Sequence, residues 1–307
     1  MAYIRCFLKS NLAGLSCRRQ ILKGDFIVSR TVTLWFVTAI LIGSFSTTCV
    51  AETSEQARKI AEENNEAVVT VQLVIETSMS FGGETEKEEN RISVPGTVID
   101  PSGLVVSALS ELDPTKVFST FMEGETDSKF TSNVVDVKIK SADGTEIPAD
   151  IVLRDRDLDL AFLRPKKAPA SPMKFVDLSK SATPQLADEL CVLYRLGPAA
   201  GRSLAVLLQR VQAVVTKPRT FYVINGERFG CPAFALDGKP VGIVVMRTAP
   251  GDGRSMGMFS SNQDMLMVVL PCSTVLKAAQ QAKEASPEKP AEKPATKPAP
   301  IETPKKN

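Results

Sequence analysis

Histidine is absent from this chain of 307 residues. The imidazole is the side chain whose ordinary pKa lies near neutral pH, so it is the usual proton acceptor in serine and cysteine nucleophilic catalysis. Its absence excludes the common histidine-assisted active sites, and it also excludes the zinc sites that depend on imidazole ligands. The sequence therefore limits first what this protein can catalyse.

Cysteine is also scarce in the part of the chain that we expect to fold. Only three of the six cysteines lie beyond residue 51, namely Cys191, Cys231 and Cys272. Three thiols are too few for an all-cysteine zinc site. An odd number allows at most one internal disulfide; which two residues would pair is left open, and the alternative is that all three are small buried hydrophobic residues. No phosphate-binding glycine motif occurs, so the sequence indicates neither a metal nor a cofactor.

The chain has little net charge of either sign. Its formal charge is +2, but residues 1–51 carry six Lys or Arg and one acid, so 31 basic and 34 acidic residues remain in the rest, a net charge of −3. Nucleic-acid binding would call for a basic patch or stripe. We therefore expect no nucleic-acid partner.

The N-terminal segment has the pattern of an export signal. Its basic residues are followed by an apolar run over residues 32–45, and then by small and polar residues up to Ala51. This order is typical of a secretory signal peptide, and it predicts cleavage after Ala51. An uncleaved anchor is the alternative, since the uncharged stretch between Arg30 and Glu52 is long enough to span a bilayer. Both interpretations place the rest of the chain outside the cytoplasm, in the periplasm, secreted or membrane-anchored.

The C-terminal segment, residues 283–307, is dominated by six Pro, six Lys and four Glu. It has too few apolar residues to bury a core, so we expect a disordered or extended tail. One interpretation is a spacer or an arm that contacts the cell envelope, and the other is a solvated tail with no partner.

The intervening residues 52–282 show the signals of a β-rich domain. A short polar helix is predicted over residues 52–65, and a closing helix over residues 273–285. The charged run at residues 84–91 is predicted to be a solvated loop, and the run at residues 154–157 an exposed ion-pair face. Strands are predicted at residues 68–77, 97–100, 104–107, 135–140, 147–154, 158–164, 189–196, 203–216, 220–224, 240–246 and 265–270. Two strand clusters separated by a proline-rich joint near residues 165–172 predict two β-barrels.

Four segments of this domain resemble a known family. They read GTVIDPSGLVVS at 96–107, ADIVLRD followed by DLDLAFL at 149–163, GCP with LDG and VGI at 230–243, and LPCSTVL at 270–276. In order and spacing they are similar to the protease domain of HtrA-type members of the trypsin-like serine protease family. The resemblance implies an all-β fold of two six-stranded barrels with a short N-terminal helix and a C-terminal closing helix.

The resemblance also shows which positions would carry the catalytic triad. The family's histidine falls on Ser110, its aspartate on Asp159, and its serine on Phe229. Two of the three members are therefore replaced. The loop whose backbone would form the oxyanion hole corresponds to Glu227, Arg228 and Gly230.

These replacements predict an inactive protease homologue. In a triad the imidazole takes the proton of the nucleophile and the carboxylate only orients it, so Asp159 alone cannot perform either task. We expect a peptide- or protein-binding or structural module, with an extended peptide or protein in the cleft between the barrels and with Phe229 in or over the former specificity pocket. The alternative is a serine-type endopeptidase with an unorthodox site, and a third class is a folded anchor whose tail makes the contacts. Cys231 has no neighbouring histidine to make it a thiolate, which argues against a cysteine nucleophile.

Overall fold

The computed structural model describes residues 48–81, 84–113, 129–226, 228–248 and 265–286. The chain divides into two compact units, Met1–Cys49 and Val50–Asn307, and the architecture below is that of the second. Most of the predicted signal segment and of the predicted tail lies outside the described residues, and so does Glu227.

The first half of this unit is a closed six-stranded barrel with the strand order β1-β2-β3-β6-β5-β4. All neighbouring pairs are antiparallel, as expected where hairpins connect strands that are adjacent in sequence. The strands are β1 (Val68–Phe81), β2 (Glu84–Val98), β3 (Val105–Ala108), β4 (Lys129–Lys140), β5 (Glu146–Asp155) and β6 (Leu160–Pro165). The predicted first barrel is therefore confirmed.

The second half is a seven-stranded antiparallel sheet with the order β8-β7-β11-β12-β13-β10-β9. Its strands are β7 (Glu189–Arg195), β8 (Leu204–Arg210), β9 (Ala213–Val215), β10 (Phe221–Val223), β11 (Pro232–Ala235), β12 (Pro240–Thr248) and β13 (Met265–Pro271). The two edge strands, β8 and β9, are joined by only Val211 and Gln212, so the sheet curls into a half-barrel. Among the described residues it is not the closed six-stranded barrel that we expected.

The residues that the structure describes also form the helices α1 (Thr48–Asn64), α2 (Leu109–Leu112) and α3 (Cys272–Glu284), with a 3-10 turn at Asn65–Ala67. No helix among the described residues is long and apolar enough to cross a membrane. Helix α1 uses Ala57 and Ile60, which are 5% and 2% exposed, to pack on the core. Both residues follow the predicted cleavage site after Ala51, so the buried face of α1 would be retained in the mature chain after signal-peptide cleavage.

The buried side chains form three clusters because both faces of many strands are covered. One cluster contains inward-facing barrel residues such as Val71 and Val105, and another contains sheet residues such as Val244 and Val269. The third cluster joins the two halves, since Phe162 of β6 and Phe234 of β11 belong to it together with residues of α1 and α3. Alternate residues of one strand enter different clusters, which is the two-residue period of a β-strand covered on both faces.

Three elements differ from the sequence predictions. The charged run at 84–91 is part of β2, where its backbone pairs with β1 and its side chains from 87 to 91 are exposed. The predicted strand at 203–216 is two strands, because residues up to Arg210 pair with β7 whereas Ala213–Val215 pair with β10. Strand β11 was missed, since it has only four residues and begins with proline.

The charged run at 154–157 forms ion pairs with residues outside the run. Arg154 lies 3.8 Å from Asp113, and Asp157 forms an ion pair with Arg219.

Candidate functional site

Asp159 lies between β5 and β6, at a turn where its φ is +57°. Its carboxylate accepts hydrogen bonds from the Ser110 backbone N–H at 2.7 Å, the Ser110 hydroxyl at 2.9 Å, and the Met246 backbone N–H at 2.9 Å. Ser110 belongs to α2 on the barrel and Met246 to β12 of the sheet. One carboxylate thus holds two loops of the barrel to the second half of the molecule.

Ser110 therefore lies beside Asp159. These are the two positions to which the resemblance carries the family's histidine and aspartate. Its hydroxyl proton is donated to the carboxylate, and the residue is partly buried at the start of α2. A hydroxyl is far too weak a base to take a proton from a nucleophile near neutral pH, and it is shorter than an imidazole. The pair Ser110 and Asp159 has the geometry of a structural contact and lacks a general base.

The third triad position, Phe229, lies in a loop that is pressed against the barrel. The next residue, Gly230, has a φ of +74°, donates its N–H to the Val244 carbonyl at 2.7 Å, and accepts the Thr97 hydroxyl at 3.1 Å. A Cβ atom at Gly230 would lie only 2.8 Å from the carbonyl oxygen of Pro95, so only glycine fits here. The Gly230 N–H already has an acceptor and is not an oxyanion donor.

This contact brings the Phe229 loop close to the segment that leads into α2. A Cβ atom placed on Gly230 would lie 2.9 Å from the Ser107 hydroxyl oxygen and 3.0 Å from the Ala108 backbone nitrogen. Phe229 itself is partly buried and packs against the cluster that contains Val244 and Val269. Its ring carries no atom able to attack a carbonyl group, so Phe229 cannot act as the nucleophile that the resemblance would put at this position.

Two charged residues complete the site. Arg228 is exposed, and its guanidinium lies over the ring of Tyr194, 5.3 Å from the centroid. Burial raises the pKa of the Glu111 carboxyl, the charge of Asp159 raises it further, and Arg228 partly offsets both. Glu111 and Tyr194 were not identified from the sequence. Glu111 could have been noticed as the neighbour of Ser110, whereas no motif marks Tyr194.

The three cysteines are unpaired and fully buried. Burial raises the pKa of Cys191 and of Cys272 to about 12. Burial also raises the pKa of Cys231, as Glu111 does to a smaller extent, while Arg228 opposes both. The Cys231 thiol donates to the Phe229 carbonyl at 3.4 Å. All three thiols are therefore protonated near neutral pH and behave as small hydrophobic residues.

A cavity of about 870 Å³ lies beside Phe229. Its walls come from the seven-stranded sheet and from the loop that leads to Phe229, and Met246 and Met267 are among its apolar residues. The size is that of a small-molecule or side-chain pocket. Among the described residues, no group of three or more cysteine, aspartate or glutamate side chains could hold a metal ion.

No known family matches the chain, and no curated protein matches it either. The resemblance to trypsin-like proteases therefore depends on the four sequence segments alone, and what it implies about function stays a prediction.

Proposed function

We propose that this chain is an exported, catalytically inactive homologue of HtrA-type trypsin-like proteases, which binds an extended peptide or protein segment between its two halves. The observation that carries the proposal is at Asp159. The carboxylate that the family uses to orient a histidine here accepts hydrogen bonds from Ser110 and Met246, in a chain without histidine.

The arrangement of strands supports this proposal at the level of fold. A closed six-stranded barrel is followed by a half-barrel sheet, and the residues aligned with the triad lie where the two halves meet. Fold alone does not determine function, so the proposal depends on the side chains at this junction. Those side chains are a hydroxyl, a carboxylate and an aromatic ring, which together provide no proton acceptor for a nucleophile near neutral pH.

Binding of a peptide is supported by the edge of β12. Pairing with β11 ends at Ile243. On the same side Val244 bonds to the loop at 230–231 and the Met246 N–H is donated to Asp159, and no described strand pairs with β12 on this side beyond Met246. The strand itself continues to Thr248, paired on its other side with β13. An extended peptide can add to such an edge through backbone hydrogen bonds, with its side chains entering neighbouring pockets.

The export part of the proposal is supported by the pattern of residues 1–51. Mass spectrometry of the N-terminus of the protein purified from its own cells tests it. We expect the first residue to be Glu52. An intact N-terminus in a membrane fraction would favour the anchor instead, and an intact N-terminus in the cytosol would contradict export.

The first test of the proposed function is chemical. We expect the purified chain to leave unfolded casein intact and to form no adduct with a fluorophosphonate, because no serine in the site is activated by a base. The control is a matched trypsin-like protease under the same conditions. A single labelled serine would overturn the proposal and would favour the alternative of an unorthodox serine endopeptidase.

The second test concerns binding at Phe229. We expect Phe229→Ala to increase the affinity for extended peptides, since the ring lines the cavity beside β12 and would block the entry of a peptide side chain. Phe175→Ala is the matched control, because Phe175 is 40% exposed and is not a residue of that cavity. Fluorescence anisotropy with a pool of labelled extended peptides measures both. If no peptide binds to the wild-type chain or to either variant, peptide binding is wrong.

A further inference from the structure

Strand β8 forms one edge of the half-barrel, and no described strand pairs with its outer side. On its inner side it pairs with β7 from Leu204 to Arg210, without a bulge. Its sequence, LAVLLQR, contains neither lysine nor proline, the residues with which natural edge strands commonly prevent pairing with another chain. Strand β8 is therefore an open edge that can accept a further strand.

The hydrogen bonds to β7 show which backbone groups of β8 point outward. The Ser203 carbonyl accepts the Leu196 N–H at 3.0 Å, and the Val211 N–H is donated to the Asp188 carbonyl at 2.9 Å. Both ends of the ladder thus assign the odd-numbered residues to β7. Because the direction of the backbone groups alternates along an antiparallel strand, every second residue points its N–H and carbonyl away from β7. These outward residues are Leu204, Val206, Leu208 and Arg210.

The side chains of the same residues form an apolar stripe along the open edge. Val206 and Leu208 are 39% and 37% exposed, and Leu204 is partly buried. On β7, Val206 and Leu208 lie opposite Leu193 and Cys191, which belong to the cluster that joins the two halves of the molecule. The stripe continues this buried cluster to the edge of the sheet, where a partner strand would cover it.

The stripe is complementary to itself. Antiparallel pairing of two β8 strands about Leu207 places Val206 of each copy opposite Leu208 of the other. In this register, the outward backbone groups of one strand meet the outward groups of the second strand, as a hydrogen-bonded ladder requires. Arg210 falls opposite Leu204 of the second copy, and Glu189 is its neighbour on β7. Like charges are therefore not directly opposed, and the apolar cross-strand pairs are of the kind that stabilises a sheet.

We infer that β8 pairs with β8 of a second copy of this chain around a twofold axis at Leu207, so that the two half-barrel sheets become one. A second copy presents the same open edge and the same apolar stripe, which is how the interfaces of twofold homodimers are built. One short strand makes a small interface, so we expect a dissociation constant of about 1 to 100 μM. The inference does not depend on the proposed peptide binding.

Two double variants test the pairing and its register by sedimentation velocity of the purified chain across that concentration range. Val206→Lys with Leu208→Lys places like charges opposite each other and should weaken the dimer by at least about tenfold. Val206→Lys with Leu208→Glu places opposite charges together in the register about Leu207, and it should dimerise more tightly than the variant with two lysines. Val214→Lys is the matched control, since Val214 is 39% exposed on β9, and it should leave the dimer unchanged.

A cross-link measures the register directly. In the inferred pairing, the two Leu207 residues form a non-hydrogen-bonded pair with Cα atoms about 4.5 Å apart, which is within the range that a disulfide spans. We expect Leu207→Cys to form a covalent dimer under mild oxidation, seen on a non-reducing gel. Ala205→Cys is the control and should stay monomeric on the gel, because Ala205 falls opposite Gln209 of the second copy. The native cysteines do not interfere, since all three are fully buried.

The outcomes decide between the inference and its rivals. A wild-type chain that stays monomeric at about 100 μM would overturn it. A dimer that tolerates the two lysines would overturn it as well, because the contact would then lie on another surface. Equal losses in both double variants, without a cross-link at Leu207→Cys, would overturn the register. Circular dichroism of each variant verifies that it folds. None of these results bears on peptide binding, which the Phe229→Ala experiment tests separately.

Discussion

The carboxylate of Asp159 and its neighbours define the site at the scale of single residues. The resemblance in sequence associated Ser110 with Asp159, and in the structure the Asp159 carboxylate accepts hydrogen bonds from the N–H and the hydroxyl of Ser110. The sequence could not predict that Arg228 lies over Tyr194, or that Glu111 lies close enough to Arg228 for their charges to interact. Both contacts depend on how β7, α2 and the loop before Gly230 pack against one another. Long-range contacts of single side chains leave no local pattern in a sequence.

Glu111 gives a prediction about pH. Because burial raises its pKa above the usual 4.5, the folded state holds this proton more tightly than the unfolded chain does. The stability that the protonated group contributes is fully present below pH 4.5 and is lost as the pH rises through the higher folded pKa. We therefore expect Glu111→Gln to be more stable than the wild type above that pKa, with the difference shrinking as the pH falls.

Urea unfolding of the two proteins at a series of pH values measures this difference. Glu62→Gln, at an exposed position of α1, is the control and should give a difference that does not change with pH. A pH-independent difference for Glu111→Gln as well would show that the Glu111 carboxyl is not desolvated in the fold.

At the scale of elements, the turns and apolar strands were predictable and the exposed or very short strands were not. The sequence Ala142-Asp143-Gly144 is typical of a turn, and a turn forms there, with the Asp143 carboxylate accepting the Thr145 N–H at 3.0 Å. The charged part of β2 was missed because its side chains face water and its strand geometry comes from pairing with β1, as in the Lys87 to Glu76 ion pair at 3.3 Å. Hydrophobic periodicity signals only strands that bury a face.

Arg195 at the end of β7 joins elements that are distant in sequence. Its guanidinium donates to the carbonyls of Val68 at 2.6 Å, Asn65 at 2.6 Å and Arg202 at 3.2 Å. It thus fixes the turn between α1 and β1 to the second half of the molecule. Burial lowers the pKa of Arg195.

We expect Arg195→Lys to lower the free energy of unfolding by about 1 to 3 kcal/mol, since an ammonium group cannot satisfy several separated carbonyls in the plane of a guanidinium. Chemical denaturation measures the loss. Arg210→Lys, in the neighbouring strand β8, is exposed and should change stability by less than about 0.5 kcal/mol. Similar losses for the two variants would mean that the Arg195 contacts contribute little.

At the scale of the whole molecule, the two halves share one buried cluster. Phe162 of the barrel is fully buried in it together with Phe234, Val268 and Leu270 of the sheet and with Val275 of α3. Two halves that share a core lose their apolar contacts together, so neither is expected to be stable when the other unfolds.

We predict that this unit unfolds in a single transition and that Phe162→Ala destabilises both halves equally. Removing a buried phenylalanine costs about 3 to 5 kcal/mol, through lost burial and the cavity left behind. Hydrogen exchange measured by mass spectrometry distinguishes the halves, because peptides from β1 and from β13 report on each. Equal loss of protection in both strands is expected. Loss confined to β1 would show that the barrel and the sheet unfold independently, and it would make the junction around Asp159 a contact between two separate domains.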